Sequence, residues 1–173
     1  MDTGKSPTRM EAMVISAQPI AAVEIARIFN APRQNVYEAW SSSEILEQWM
    51  GPGDDMETHV EAFDLRAGGA YRFRMIARRD DPATGPAGTH YVVGGRCVEI
   101  KAPERLAFTW RWLENGMDIG QSLVKIELRD FSNRTELVIV HAGLPTPEAR
   151  EAHREGWEAC LDCLARYLAG QQA

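Results

Sequence analysis

No apolar run in this 173-residue sequence approaches the ~18 residues that cross a bilayer, so no membrane partner is expected. Cysteine is scarce: Cys97, Cys160 and Cys163 are the only three. Cys160 and Cys163 are spaced as in a CxxC motif, but no second pair completes a zinc site and no βαβ pattern surrounds them. They lie in a helical stretch, where a free thiol packs as a small hydrophobe. The odd count and the lack of a secretory signal point to a reducing cytoplasm. A large cluster of positive charge is also missing. The formal net charge is -6 and, apart from short clusters such as Arg72, Arg74, Arg78 and Arg79, the basic residues are scattered, which argues against a nucleic-acid partner. There is no GxSxG elbow, no HExxH and no glycine-rich phosphate loop after a strand; Gly68-Gly69 precedes one. His59, His90, His141 and His153 are too dispersed to make a metal site. No catalytic residue, no metal and no cofactor is therefore assigned.

What is present is an ordinary globular composition, 45% hydrophobic and 25% charged, in a length suited to one domain. Residues 1–20 show no sustained period and read as a mobile leader; residues 21–171 read as the domain. Val23 to Asn30 is rich in β-formers and stops at Ala31-Pro32. Val36, Tyr37 and Trp40 then recur at helical spacing, Ser41 to Ser43 offer a cap, and Ile45, Leu46 and Trp49 continue on one face. Gly51-Pro52-Gly53 ends this second short helix.

The middle of the chain alternates. Tyr71, Phe73 and Met75 are interleaved with Arg72 and Arg74, and Leu106, Phe108, Trp110 and Trp112 with Ala107, Thr109 and Arg111. Val124, Ile126 and Leu128 follow, and then Leu137, Ile139 and His141. Each set has the period of two that puts one face of a strand inward. Gly94-Gly95 suggests a bulge or bend, and Ser132-Asn133 a hairpin turn. Thr146-Pro147-Glu148 opens a helix that runs to about Ala169, with an inner stripe of Ala149, Ala152, His153, Gly156, Trp157, Cys160, Leu161, Leu164 and Leu168. The order is strand, two short helices, about six strands and one long helix. This is an α+β class with strands segregated from helices, not a doubly wound nucleotide fold.

Six segments in order resemble a known family: APRQNVYEAW, LEQWMGPG, DLRAGGAYRFRM, APERLAFTWRW, RTELVIVHAGLP and HREGWEACLDCLARYL, spanning about Val23 to Leu168. They are similar to the START-related (SRPBCC) superfamily, and within it to bacterial proteins like the C-terminal domain of the activator of the Hsp-90 ATPase. Met50 stands where relatives usually carry a second Trp. The resemblance implies a helix-grip fold, a curved seven-stranded antiparallel sheet around the long C-terminal helix. It also implies a cavity between sheet and helix of the kind related families use for lipids, polyketides or aromatics.

A bent sheet around one helix closes imperfectly, and inward residues line the gap. The expected ligand-binding set is Tyr71, Phe73, Met75, Phe108, Trp110, Trp112, Ile139, His141, His153, Trp157 and Cys160. The expected partner is a small hydrophobic ligand. Two alternatives stand beside it: a cyclase- or hydrolase-like enzyme using His141 or Tyr71 as general acid or base, and a chaperone ATPase regulator, which rests on the resemblance alone. An exposed sheet edge leaves a homodimer open.

Overall fold

Alternation along the middle of the chain builds one sheet. The computed structural model describes residues 21–82 and 84–171; the leader expected over 1–20 lies outside the described residues. In chain order the elements are β1 (Val23–Phe29), α1 (Arg33–Ser41), α2 (Ser43–Trp49), β2 (Met56–Phe63), β3 (Ala70–Ala77), β4 (His90–Lys101), β5 (Arg105–Glu114), β6 (Ser122–Phe131), β7 (Arg134–Ala142) and α3 (Pro147–Gly170). The strands form a seven-stranded sheet in the order β1-β7-β6-β5-β4-β3-β2, antiparallel throughout. This is the expected helix-grip α+β architecture.

Local chemistry explains the element ends. The Ser42 hydroxyl accepts from the Ile45 amide and starts α2, and Thr146 accepts from the Ala149 amide at 3.1 Å and starts α3. Replacing Thr146 by Ala orphans that amide, and the expected loss is about 1 kcal/mol. For a chain of this size this is a fall of roughly 2–4 °C in Tm, read by thermal denaturation. The β6–β7 hairpin turns on Ser132 and Asn133, both at positive φ. α3 runs through Gly170, the expected stop, one residue beyond the expected last turn at Ala169, and its cap backbone stays near helical geometry.

Two features bend the sheet. In β4 the ladder with β5 shifts register at Val92/Val93 and again at Cys97/Glu99, on either side of the Gly94-Gly95 pair. At Gly95 a Cβ would sit 2.0 Å from the Thr109 carbonyl oxygen, so only glycine lets the strands approach there. In β2 a further irregularity falls between Val60 and Ala62.

The outward face carries the charges. Arg72 and Arg74 both donate to Glu61 at 2.6 Å, and Arg72 reaches Glu114 at 2.8 Å, so the alternating arginines of β3 lie on the solvated side as expected. Arg27 of β1 meets Asp162 of α3 at 2.5 Å, so its charge is paired. The inward face packs on α3, whose buried residues include Ala149, His153, Trp157, Cys160, Leu161, Leu164 and Leu168. Ala152 is exposed and Gly156 half-buried, although both belong to the inner stripe. The reason lies in the space between α3 and the sheet.

Candidate functional site

β3, β4 and β5 diverge from α3 at one end of the molecule and leave a cavity of about 610 Å³. The sheet supplies Phe73, Met75, Tyr91, Val93, Trp110 and Trp112; the helix supplies Ala152, His153, Glu155, Gly156, Trp157, Ala159 and Cys160. Loops close the remaining sides with Met50, Pro52, Thr84, Asn115, Gly116 and Met117, joined by Met56 at the start of β2. Ala152 and Gly156 therefore belong to the inward face but look onto open space instead of a partner. A Cβ placed on Gly156 meets no atom within 4 Å.

The walls are mostly aromatic and sulfur-bearing. All five tryptophans of the chain form a continuous row. Trp49 packs edge-on against Trp40 at 4.7 Å between centroids, Trp40 against Trp157 at 6.1 Å, Trp157 against Trp110 at 5.2 Å, and Trp110 against Trp112 at 5.5 Å. Three of them face the cavity. All four methionines of the described residues, Met50, Met56, Met75 and Met117, line it as well. Thioether side chains are flexible and polarizable, so such a wall adapts its shape to what it holds.

Two buried histidines are tied into this row by tryptophan N–H groups. Trp157 donates from Nε1 to His141 Nδ1 at 3.1 Å, which leaves His141 Nε2–H to donate to the Ser122 hydroxyl at 2.7 Å. Ser122 in turn donates to the Trp110 carbonyl at 3.2 Å. Trp112 donates to His153 Nε2 at 3.1 Å, and His153 Nδ1–H donates to the Ala149 carbonyl one turn back at 2.7 Å. The two imidazoles lie 5.0 Å apart, edge to face. Both ring nitrogens of each are occupied, and each ring is held neutral. Burial, and then the proximity of His153, lower the His141 pKa to about 3. Burial likewise lowers that of His153, partly opposed by its bond to Ala149.

Of the expected residues, the structure brings Phe73, Met75, Trp110, Trp112, His153, Trp157 and Cys160 together on this cavity. The other four lie elsewhere. Tyr71 and Phe108 are further along the same strand faces, against a separate crevice of only about 20 Å³ that Trp40, Leu46, Phe63, Leu65 and Leu106 nearly fill. Ile139 and His141 are wholly buried and do not line the cavity. The acid–base reading required His141 or Tyr71 to open into this space, and neither does. The Tyr71 hydroxyl donates to the Thr109 carbonyl at 2.6 Å, and burial pushes its pKa well above the ordinary value. Cys160 does reach the cavity, but burial pushes its thiol up to about 12, so it serves as a small apolar surface, not a nucleophile.

Sequence reasoning missed Met50, Met56, Tyr91, Val93, Met117 and Glu155. Most sit in loops or beside irregularities, where no period marks a face. Tyr91, Val92 and Val93 make an unbroken apolar run, in which alternation cannot say which residues turn inward.

The family described as Activator of Hsp90 ATPase homolog 1-like protein matches residues 30–169. Among solved structures, a protein from Chromobacterium violaceum is 29% identical, with a TM-score of 0.73 over 85% of this chain and 96% of its own. The AHSA1 protein from Silicibacter pomeroyi is 24% identical, with a TM-score of 0.72 over 87% of this chain and 99% of its own. A protein from Arthrobacter aurescens is 22% identical, with a TM-score of 0.73 and 87% coverage of each chain. No curated protein matches the chain.

Proposed function

The chain belongs to the Activator of Hsp90 ATPase homolog 1-like family, and from its helix-grip fold and cavity we propose that it takes up and sequesters a small hydrophobic molecule. The observation that carries this reading is the void of about 610 Å³ between sheet and α3, walled by three tryptophans and four methionines. That volume lies within the ordinary range of small-molecule sites. A wall of this kind left without a partner loses dispersion contacts that an apolar guest restores. Burying about 300 Å² of ligand gives roughly 7 kcal/mol at ~25 cal/mol per Å². Association costs of several kcal/mol reduce this, so the expected affinity is micromolar.

The polar groups support binding over catalysis. Both histidines near the cavity are neutral and have both ring nitrogens engaged, so neither has a free position from which to move a proton to a guest. Among the described residues no helix is long and apolar enough to cross a membrane. Cys97, Cys160 and Cys163 are free and buried, which supports a reducing compartment such as the cytoplasm.

The test is a titration with an apolar fluorophore that absorbs where tryptophan emits. Because Trp110, Trp112 and Trp157 wall the cavity, saturable quenching with a micromolar midpoint is expected. A linear, non-saturating response would remove the reading.

A further inference from the structure

The charge pattern of the cavity narrows the class of ligand. Among the described residues that line it there is no arginine and no lysine, and Glu155 is the only charged side chain. Glu155 is exposed on α3, and among the described residues no hydrogen bond or ion pair engages its carboxylate. The remaining polar groups are largely spent. His153 is doubly bonded and neutral, the Tyr91 hydroxyl donates to the Thr84 carbonyl at 3.0 Å, and the Asn115 amide donates to the His90 carbonyl at 2.9 Å. Two buried groups in the wall lack partners, the Thr84 hydroxyl and the Trp110 indole N–H. Both are neutral and neither balances an anion.

We propose that the cavity selects amphipathic ligands whose polar end is a protonated amine, which Glu155 meets at the rim, and discriminates against those ending in a carboxylate. The inference rests on the reading that the cavity binds an apolar molecule, and it specifies the charge of that molecule. An ammonium near the rim faces Glu155 and the indole and phenol rings of the wall, whose π faces attract cations. A carboxylate at the same place meets the like charge of Glu155, with only neutral donors and no cation in the wall to offset it. The overall charge of -6 works in the same direction at longer range.

The experiment compares three probes with one apolar body, decylamine, decanol and decanoate, by calorimetry at neutral pH and low salt. An exposed ion pair and a cation–π contact are each modest, so decylamine should bind about tenfold more tightly than decanoate, with decanol between them. In Glu155→Gln, an isosteric change on an exposed helix position, the ratio of decylamine to decanol affinity should fall by about threefold. In Glu155→Lys the order of decylamine and decanoate should reverse. Decanoate binding as tightly as decylamine, or a ratio unmoved by Glu155→Gln, would overturn the charge selection while leaving the apolar cavity intact. Decanol failing to bind as well would overturn the binding reading and this inference with it.

Discussion

Replacing His141 by Leu should destabilise the protein by about 2–4 kcal/mol at neutral pH. The side chain is wholly buried and joins three elements: β7 carries it, α3 donates to it through Trp157, and it donates to Ser122 of β6. Leucine fills most of the volume, but it leaves the Trp157 N–H without an acceptor and removes the donor to the Ser122 oxygen, which keeps only its bond to the Trp110 carbonyl. The cost of an orphaned buried donor exceeds the worth of the bond it made. His141→Gln, which keeps a donor and an acceptor, should lose less. Urea denaturation followed by tryptophan emission measures both.

The same histidine makes stability depend on pH. In the folded state its pKa is lowered to about 3 from 6.5, so it stays neutral while the unfolded chain takes up a proton. Its contribution is complete above pH 6.5 and is lost as pH falls from there toward 3. The slope approaches about 1.4 kcal/mol per pH unit. His153, also lowered by burial, adds in the same direction. His141→Leu should flatten the stability profile between roughly pH 6.5 and 5, before most carboxylates titrate. An unchanged slope would show that His141 is not held neutral by the fold.

Gly156→Phe should abolish most ligand binding without unfolding the protein. On the inner stripe of a helix such a change normally overpacks the core at a cost of about 1–3 kcal/mol. Here the glycine Cβ direction is empty to 4 Å, so a ring can enter the cavity. If it displaces about 60 Å² of ligand contact, the loss is about 1.5 kcal/mol, a little over tenfold in Kd. Gly156→Ala separates the effects. It removes a mid-helix glycine, which should raise stability by up to about 1 kcal/mol while barely filling the void. A Gly156→Phe protein that fails to fold, although Gly156→Ala is stable, would mean that the space is not there.

The contrast between Trp110 and Phe108 shows how far the sequence could be read. Alternation along β5 puts both on the inward face, and both are there. Alternation says which face, however, and not how far along the strand the face is covered. At Phe108 and Tyr71 the side chains of α1, α2 and β2 fill the gap; beside Trp110 and Trp112 the space toward α3 stays open. The helix stripe behaves alike. Ala152 and Gly156 were legible as inward, but only the divergence of α3 from the sheet makes them cavity wall instead of core. Met50 and Met117 carry no periodic signal at all, and their place follows from where the loops α2–β2 and β5–β6 come to rest; Glu155 sits on α3 at the edge of the inner stripe, where it reads as solvated helix surface. The long-range pairing of His141 with Trp157, and of His153 with Trp112, is likewise invisible to a local pattern. It arises because β7 and β5 both run beneath α3.

The most direct test of the void is a crystal soaked with iodobenzene, whose iodine can be located by its anomalous signal. The account predicts a single ordered site between β5 and α3, against Trp110, Trp157 and Met75. Iodine found only on the outer surface, with the wall side chains collapsed onto one another, would contradict it.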